Sequence, residues 1–360
     1  MLQFLCLLLF LNGLAQSVAS LLQQGLVALQ HGQLTEARAD LEEASRLDPS
    51  NPYAWASLAE TYLQFKDTAK ASDAAGRAEK LGSGNPLVSH ALAMYYSESG
   101  QFAEAAKLEA QFAQSSKADG NALSRVASLY LRAGNVEKGL PFAEQAGAKG
   151  DQQIAFEYAQ ALLQKEDFTR AAEVIESGLK KHADDAQLVL ALGVARYGQR
   201  RFEDAIQAFL RVIQIDPNVE QPYVFLGRML DQAGAHLQEI KRADQSWAER
   251  FPQNANAQLV FAKALVEANN KDPQAEVRLR RSIDLDGSNW EAHYELGVLL
   301  ENRHDYPAAA AELERTVELE PKQPMPHYHL ARVYDRLGQP DRAKRERELH
   351  AQLTGSGSKP

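Results

Sequence analysis

Histidine and carboxylate side chains are where chemistry would be sought in this chain, and their spacing argues against it. Nine histidines are scattered over 360 residues, and only His327-Tyr328-His329 places two of them close together. An i, i+2 spacing puts two side chains on different sides of a helix, so this pair does not converge on one ion. A zinc site needs three or four converging ligands, and no third ligand accompanies the pair. The neighbouring carboxylates Glu42-Glu43 and Asp184-Asp185 fall on exposed or loop positions and read as solvated charges. There is no Gly-rich phosphate loop, no His-Glu-x-x-His and no Gly-x-Ser-x-Gly. No catalytic residue, no metal site and no cofactor is therefore expected.

Cys6 is the only cysteine, and it lies inside the apolar run Leu2–Leu11. Residues 1–15 carry no charge and have the length of the apolar core of a secretory signal, with small residues that suit cleavage after Ala15 or after Ala19. The run is too short to span a bilayer, and no later window approaches twenty apolar residues. No Lys or Arg precedes it, as a signal would have; the other reading is a hydrophobic first helix capping a cytoplasmic protein. The expectation is an exported protein, periplasmic or secreted, whose mature form lacks cysteine and so lacks disulfides. The formal net charge of −9 gives no basic stripe for phosphates, so nucleic acid is not an expected partner.

The elements that would position any functional side chain come from an internal period. Units begin near Val18, Pro52, Pro86, Gly120, Gln152, Ala186, Glu220, Ala255, Trp290 and Pro324, with a spacing of mostly 34 residues, once 32 and twice 35. The eighth position of every unit is Gly or Ala, from Gly25 and Ala59 through Gly193 and Gly227 to Gly297 and Ala331. A small residue there allows two helices to approach closely. The twentieth position repeats the demand, with Ala37, Ala71, Ala105, Gly139, Ala171, Ala205, Ala275, Ala309 and Ala343; the seventh unit breaks it with Ile240 after an inserted residue. Bulky residues at the seventh and eleventh positions, such as Leu58, Tyr62, Leu296 and Leu300, fill the space between. Gly32, Gly100, Gly134, Gly234 and Gly338 read as left-handed turns between paired helices. Pro49, Pro217, Pro252 and Pro321 end second helices.

These residues resemble the tetratricopeptide-repeat (TPR) family over about residues 18–351. Units six and nine are nearest its pattern, with Leu192, Gly193, Ala205, Phe209 and Pro217, and Leu296, Gly297, Ala309, Leu313 and Pro321; units three, four and seven depart from it. The resemblance implies an all-α, right-handed superhelical solenoid of about ten helix–turn–helix units. The seventh unit, with its insertion and Trp247 on a helix face that elsewhere takes smaller residues, is where a kink is expected. The last helix, from Asp341 to His350, has the charged outer face of a cap, and residues 352–360 read as a flexible tail.

In the TPR family the first helices line a concave groove through positions two, five, nine, twelve and thirteen. Carried onto this chain, that places Tyr53, Glu60, His90, Met94, Phe156 and Gln160 in the groove. Farther along it places Tyr197, Arg228, Lys263, Tyr294, Tyr328, Arg332 and Arg336 there. Aromatic and Arg side chains are the usual anchors of protein interfaces. The Asn that a carboxylate clamp requires at position nine is missing from every unit. His293 and His327, at position four, fall where the family packs a large residue and are expected to be structural. The expected function is a non-enzymatic scaffold that binds a protein or peptide segment. Two alternatives are an assembly subunit of a bacterial envelope or polysaccharide-export machine, and an unrecognised enzyme or glycan-binding protein.

Overall fold

The computed structural model describes residues 17–115 and 120–355. Among them the protein is all-α, with twenty α-helices, two short 3-10 turns and no strand. The expected export signal over residues 1–15 lies outside the described residues, as do residues 356–360 of the expected tail. The last helix runs on to Leu353, just into that tail.

The chain divides into two compact units, residues 1–191 and 192–360. The first contains the pairs α1 (17–30) with α2 (Leu34–Leu47), α3 (Pro52–Gln64) with α4 (Thr68–Leu81), and α5 (Pro86–Glu98) with α6 (Phe102–Ser115). It also holds α7 (Gly120–Arg132) with α8 (Val136–Ala148), and α9 (Gln152–Gln164) with α10 (Phe168–Leu179). The boundary falls within α11 (Ala186–Gly198). The second unit contains α12 (Phe202–Ile215), α13 (Gln221–Gly227), α14 (Leu237–Arg250), α15 (Ala255–Ala268) and α16 (Pro273–Leu285). It closes with α17 (Trp290–Asn302), α18 (Tyr306–Leu319), α19 (Pro324–Arg336) and α20 (Pro340–Leu353).

Local sequence explains where these helices start and stop. Asn51 accepts hydrogen bonds from the Tyr53 and Ala54 amides while Pro52 takes the first helical position, and Asn85-Pro86 repeats the device. The acceptor satisfies amides that have no partner within the helix, and proline has no amide to lose. Asp67, Asp151, Asp167, Asn254, Asn289 and Asp305 cap later helices in the same way. Between paired helices one residue turns left-handed. Glycine fills that place at Gly32, Gly100, Gly134, Gly234 and Gly338, but Lys66, Glu166, Arg200 and His304 adopt the same conformation with a side chain. Only the eighth pair differs, passing through an extended Asn269.

The small eighth position has the reason the period suggests. An ideal Cβ on Gly25, Gly193 or Gly297 would come within 2.7, 2.5 and 2.7 Å of Leu41, Phe209 and Leu313, each on the second helix of the same pair. One core in the first unit gathers Leu41, Leu58, Val88, Leu92 and Tyr95; one in the second gathers Tyr223, Trp247, Leu265, Leu296, Leu313, Leu330 and Tyr334. The seventh pair is the irregular one. Its first helix, α13, has seven residues where α3, α17 and α19 have thirteen, and two 3-10 turns, Leu230–Gln232 and Gly234–His236, replace the remainder. Trp247 of α14 is buried there and stacks on Tyr223 with ring centroids 4.5 Å apart.

Candidate functional site

The residues expected to face a partner do not share one environment. In the second unit a polar cluster joins α17 to α19. Glu301 is buried and accepts from the Nδ1 of His329 at 2.6 Å, and its other oxygen lies 3.2 Å from the Arg332 guanidinium. A carboxylate can only accept, so the His329 proton sits on Nδ1. Tyr294 and Tyr328 meet the His329 ring edge-on at 5.7 and 5.4 Å, and the Arg332 guanidinium lies over the Tyr328 ring at 5.6 Å. Tyr294 is half-buried, and its hydroxyl is pushed up to about 12, by burial first and then by the charges of Glu295 and Glu301. Tyr328, Arg332 and Arg336, four residues apart along α19, form one exposed ridge.

Lys263 is not free to meet a partner as a bare cation. Its ammonium lies 2.5 Å from Glu291 and 3.7 Å from Glu295 on α17. Burial pushes the Glu295 carboxyl up, against the pull of Lys263 and with the Glu291 charge adding to the rise. Arg228 and Arg336 are exposed and enter no ion pair with a described residue. Tyr197 is 36% exposed and lies edge-on to Phe202 and Phe225.

In the first unit Tyr53 and Phe156 are half-buried; Tyr53 packs against the α3–α5 core and donates from its hydroxyl to Asn85 at 3.4 Å. Met94 and Gln160 are exposed. The His90 Nδ1 lies 2.6 Å from Glu109, which also accepts from Arg125 at 2.7 Å, and the His90 ring stacks on Phe112. Burial alone would raise the Glu109 carboxyl, but the hydrogen bonds from His90 and Arg125 outweigh it and hold the group below its usual value. Glu60 is half-buried, and burial followed by the Glu98 charge pushes its carboxyl up to about 7 against the opposing charge of His90.

His293 and His327 tie helices together. Each Nδ1 lies 2.6 Å from a carboxylate nineteen residues on, Glu312 or Glu346, and each Nε2 faces a backbone carbonyl, that of Gly287 at 3.3 Å or Pro321 at 3.0 Å. Among the described residues no group of three His, Cys, Asp or Glu could hold a metal ion, and no helix is long and apolar enough to cross a membrane.

The sequence pattern of the tetratricopeptide repeat matches residues 22–86, 156–220 and 259–324, more than half of the chain. The chain belongs to the TPR family. It is a family of protein-interaction scaffolds, and the ten helix pairs are its repeats. No curated protein matches this TPR chain in sequence. Among solved structures it is similar to residues 41 to the end of MamA from Desulfovibrio magneticus RS-1, with 18% identity over 48% of this chain and 98% of that one, at a TM-score of 0.42. It is similar to yeast Tom70, with 14% identity over 94% and 92% and a TM-score of 0.43. It is also similar to Pseudomonas aeruginosa pilF, with 18% identity over 60% and 99% and a TM-score of 0.40. These likenesses concern the fold alone.

Sequence reasoning named these first-helix residues but missed the carboxylates that pair with them. Glu291 and Glu301 stand at positions two and twelve of their repeat, so the same positional rule would have found them. Glu295 stands at position six, outside the rule.

Proposed function

We propose that this TPR chain is a non-enzymatic scaffold that holds a segment of another protein in the groove of its first helices. The observation that carries the reading is the α19 ridge: Tyr328, Arg332 and Arg336 exposed in line, with Glu301 and His329 fixing its base. An aromatic and a guanidinium held in place lose little freedom on binding, and such residues dominate interface energies. The test places a photo-crosslinking side chain at Arg336 and, as a control, at Val277, which is 65% exposed on α16. Capture of a partner through position 336 and not through 277 supports the groove; equal capture, or none, overturns it. Arg336→Glu should weaken the captured complex at least tenfold, the cost of losing an anchor of about 1.4 kcal/mol or more. A stable complex of fixed stoichiometry would instead favour an assembly subunit. We further propose that the protein is exported, on the anatomy of residues 1–15. A reporter fused after residue 20 that stays in the cytoplasm would end that proposal.

A further inference from the structure

One side chain in the second unit belongs to no surface and has no partner. Asp244, in the middle of α14, is fully buried, and neither carboxyl oxygen meets a hydrogen-bond partner. Its place in the repeat is held in seven others by buried apolar residues, among them Leu41, Ile175, Phe209, Leu279 and Leu313, and in the last by the exposed Arg347. Three of those residues press on the small residue of their own first helix, whereas Gly227 of the seventh pair is met by Val260 of α15. The third repeat also carries a carboxylate at this place, Glu109, but there both oxygens are satisfied by His90 and Arg125. Asp244 is therefore an acid in an apolar position without the partners that make such a substitution tolerable.

The surroundings are also the least regular in the second unit. The first helix of the pair stops at Gly227 and gives way to two 3-10 turns, whose hydrogen bonds are poorer than those of an α-helix. The titratable groups that face Asp244 are Lys263 from α15 and Tyr223 from α13. Neither answers it: the Lys263 ammonium is held by Glu291 and Glu295, and the Tyr223 hydroxyl donates to the Pro217 carbonyl at 3.0 Å. His236, in the second 3-10 turn, is held at 2.7 Å by Glu203 of α12.

We propose that the seventh helix pair is a proton-gated joint, closed while Asp244 is neutral and opening locally when Asp244 gives up its proton. Burial holds the Asp244 carboxyl well above its usual value in the closed state, whereas opening returns it to water and to the ordinary range. The closed state thus binds the proton more tightly. Between the open-state and closed-state values, each rise in pH shifts the balance toward opening, by at most about tenfold per pH unit for one proton; above the closed-state value both states have lost it and the balance is flat. Below the open-state value both states are protonated and the balance is again flat. The joint bears on the binding face because Arg228 caps α13 and Lys263 sits on the helix that follows. That consequence rests on the groove reading above; the opening itself does not.

Hydrogen–deuterium exchange of the full chain between pH 5 and pH 8, corrected for intrinsic exchange, tests the joint. Protection over residues 221–250 should fall with rising pH in the wild type and fall clearly less in Asp244→Asn, where only His236, raised by its bond to Glu203, still responds, while α18 stays level in both. Asp244→Leu places there the residue of the first, eighth and ninth repeats; should the Asn variant lose its helical circular dichroism, the Leu variant carries the comparison and should show the same smaller fall. Wild-type protection that does not change with pH, or the same loss in the neutral variants, overturns the proposal. Failure to capture a partner would remove the groove reading and leave the exchange result standing.

Discussion

Replacing Gly193 by alanine should destabilise the protein even though alanine is the better helix former. Gly193 lies inside α11, and an ideal Cβ there would sit 2.5, 2.8 and 3.0 Å from three atoms of the Phe209 ring. The ring cannot retreat, because it is fully buried and stacked on Phe225 at 4.8 Å with the planes 8° apart. Overpacking of this kind costs about 1–3 kcal/mol. Against it stands a helix-propensity gain of about 1 kcal/mol for Gly→Ala. Gly76, inside α4, isolates that gain, because a Cβ there meets nothing within 4 Å. Gly76→Ala should therefore stabilise by about 1 kcal/mol, and the difference between the two variants should equal the overlap, about 1–3 kcal/mol. Repeat arrays need not unfold in one step, so urea unfolding should be paired with hydrogen exchange of α11 and α12. Phe209→Leu in the Gly193→Ala background should recover part of the loss, the double variant being less destabilised than the two single changes summed. If Gly193→Ala stabilises as much as Gly76→Ala, the helices are not in the contact described here.

Two further perturbations test other parts of the fold. Arg200 adopts a φ of 61° at the turn where other repeats place glycine, so Arg200→Gly should stabilise by up to about 1 kcal/mol, read as a rise in the urea midpoint. The Glu60 carboxyl is raised to about 7 in the folded protein, from an ordinary value near 4.5. Below the ordinary value both states are protonated. Between the two values only the unfolded state gives up the proton, so stability falls as pH rises, by at most about 1.4 kcal/mol per unit. Glu60→Gln should remove that slope in a pH series of unfolding curves, and an unchanged slope would assign it to another group.

The repeats were legible because their demands are steric and recur. A Gly or Ala ten times over at one place in the period can be read without neighbours, and the contacts of Gly25, Gly193 and Gly297 give the reason. The Asn-Pro helix starts and the glycine turns are equally local. Lys66, Glu166, Arg200 and His304 were not legible as turn residues, since nothing in a Lys or an Arg announces a left-handed backbone; the packed helices on either side impose it. The arrangement of the proposed face was half legible. Positional rules set Tyr328, Arg332 and Arg336 on one ridge, but they could not show that Lys263 is answered by Glu291 and Glu295, one whole repeat onward. Asp244 illustrates the same limit. An Asp on a polar-looking helix reads as exposed until the packing of α14 is known.

Three of the histidine–carboxylate ties, His90 with Glu109, His293 with Glu312 and His327 with Glu346, share one separation of nineteen residues and one distance of 2.6 Å. Each tie begins and ends inside a single helix pair. A pair fastened from within brings its own clasp when it is duplicated, and its removal breaks no clasp in the pairs beside it. The chain can lengthen or shorten by whole repeats while each of these three hairpins keeps the bond that closes it.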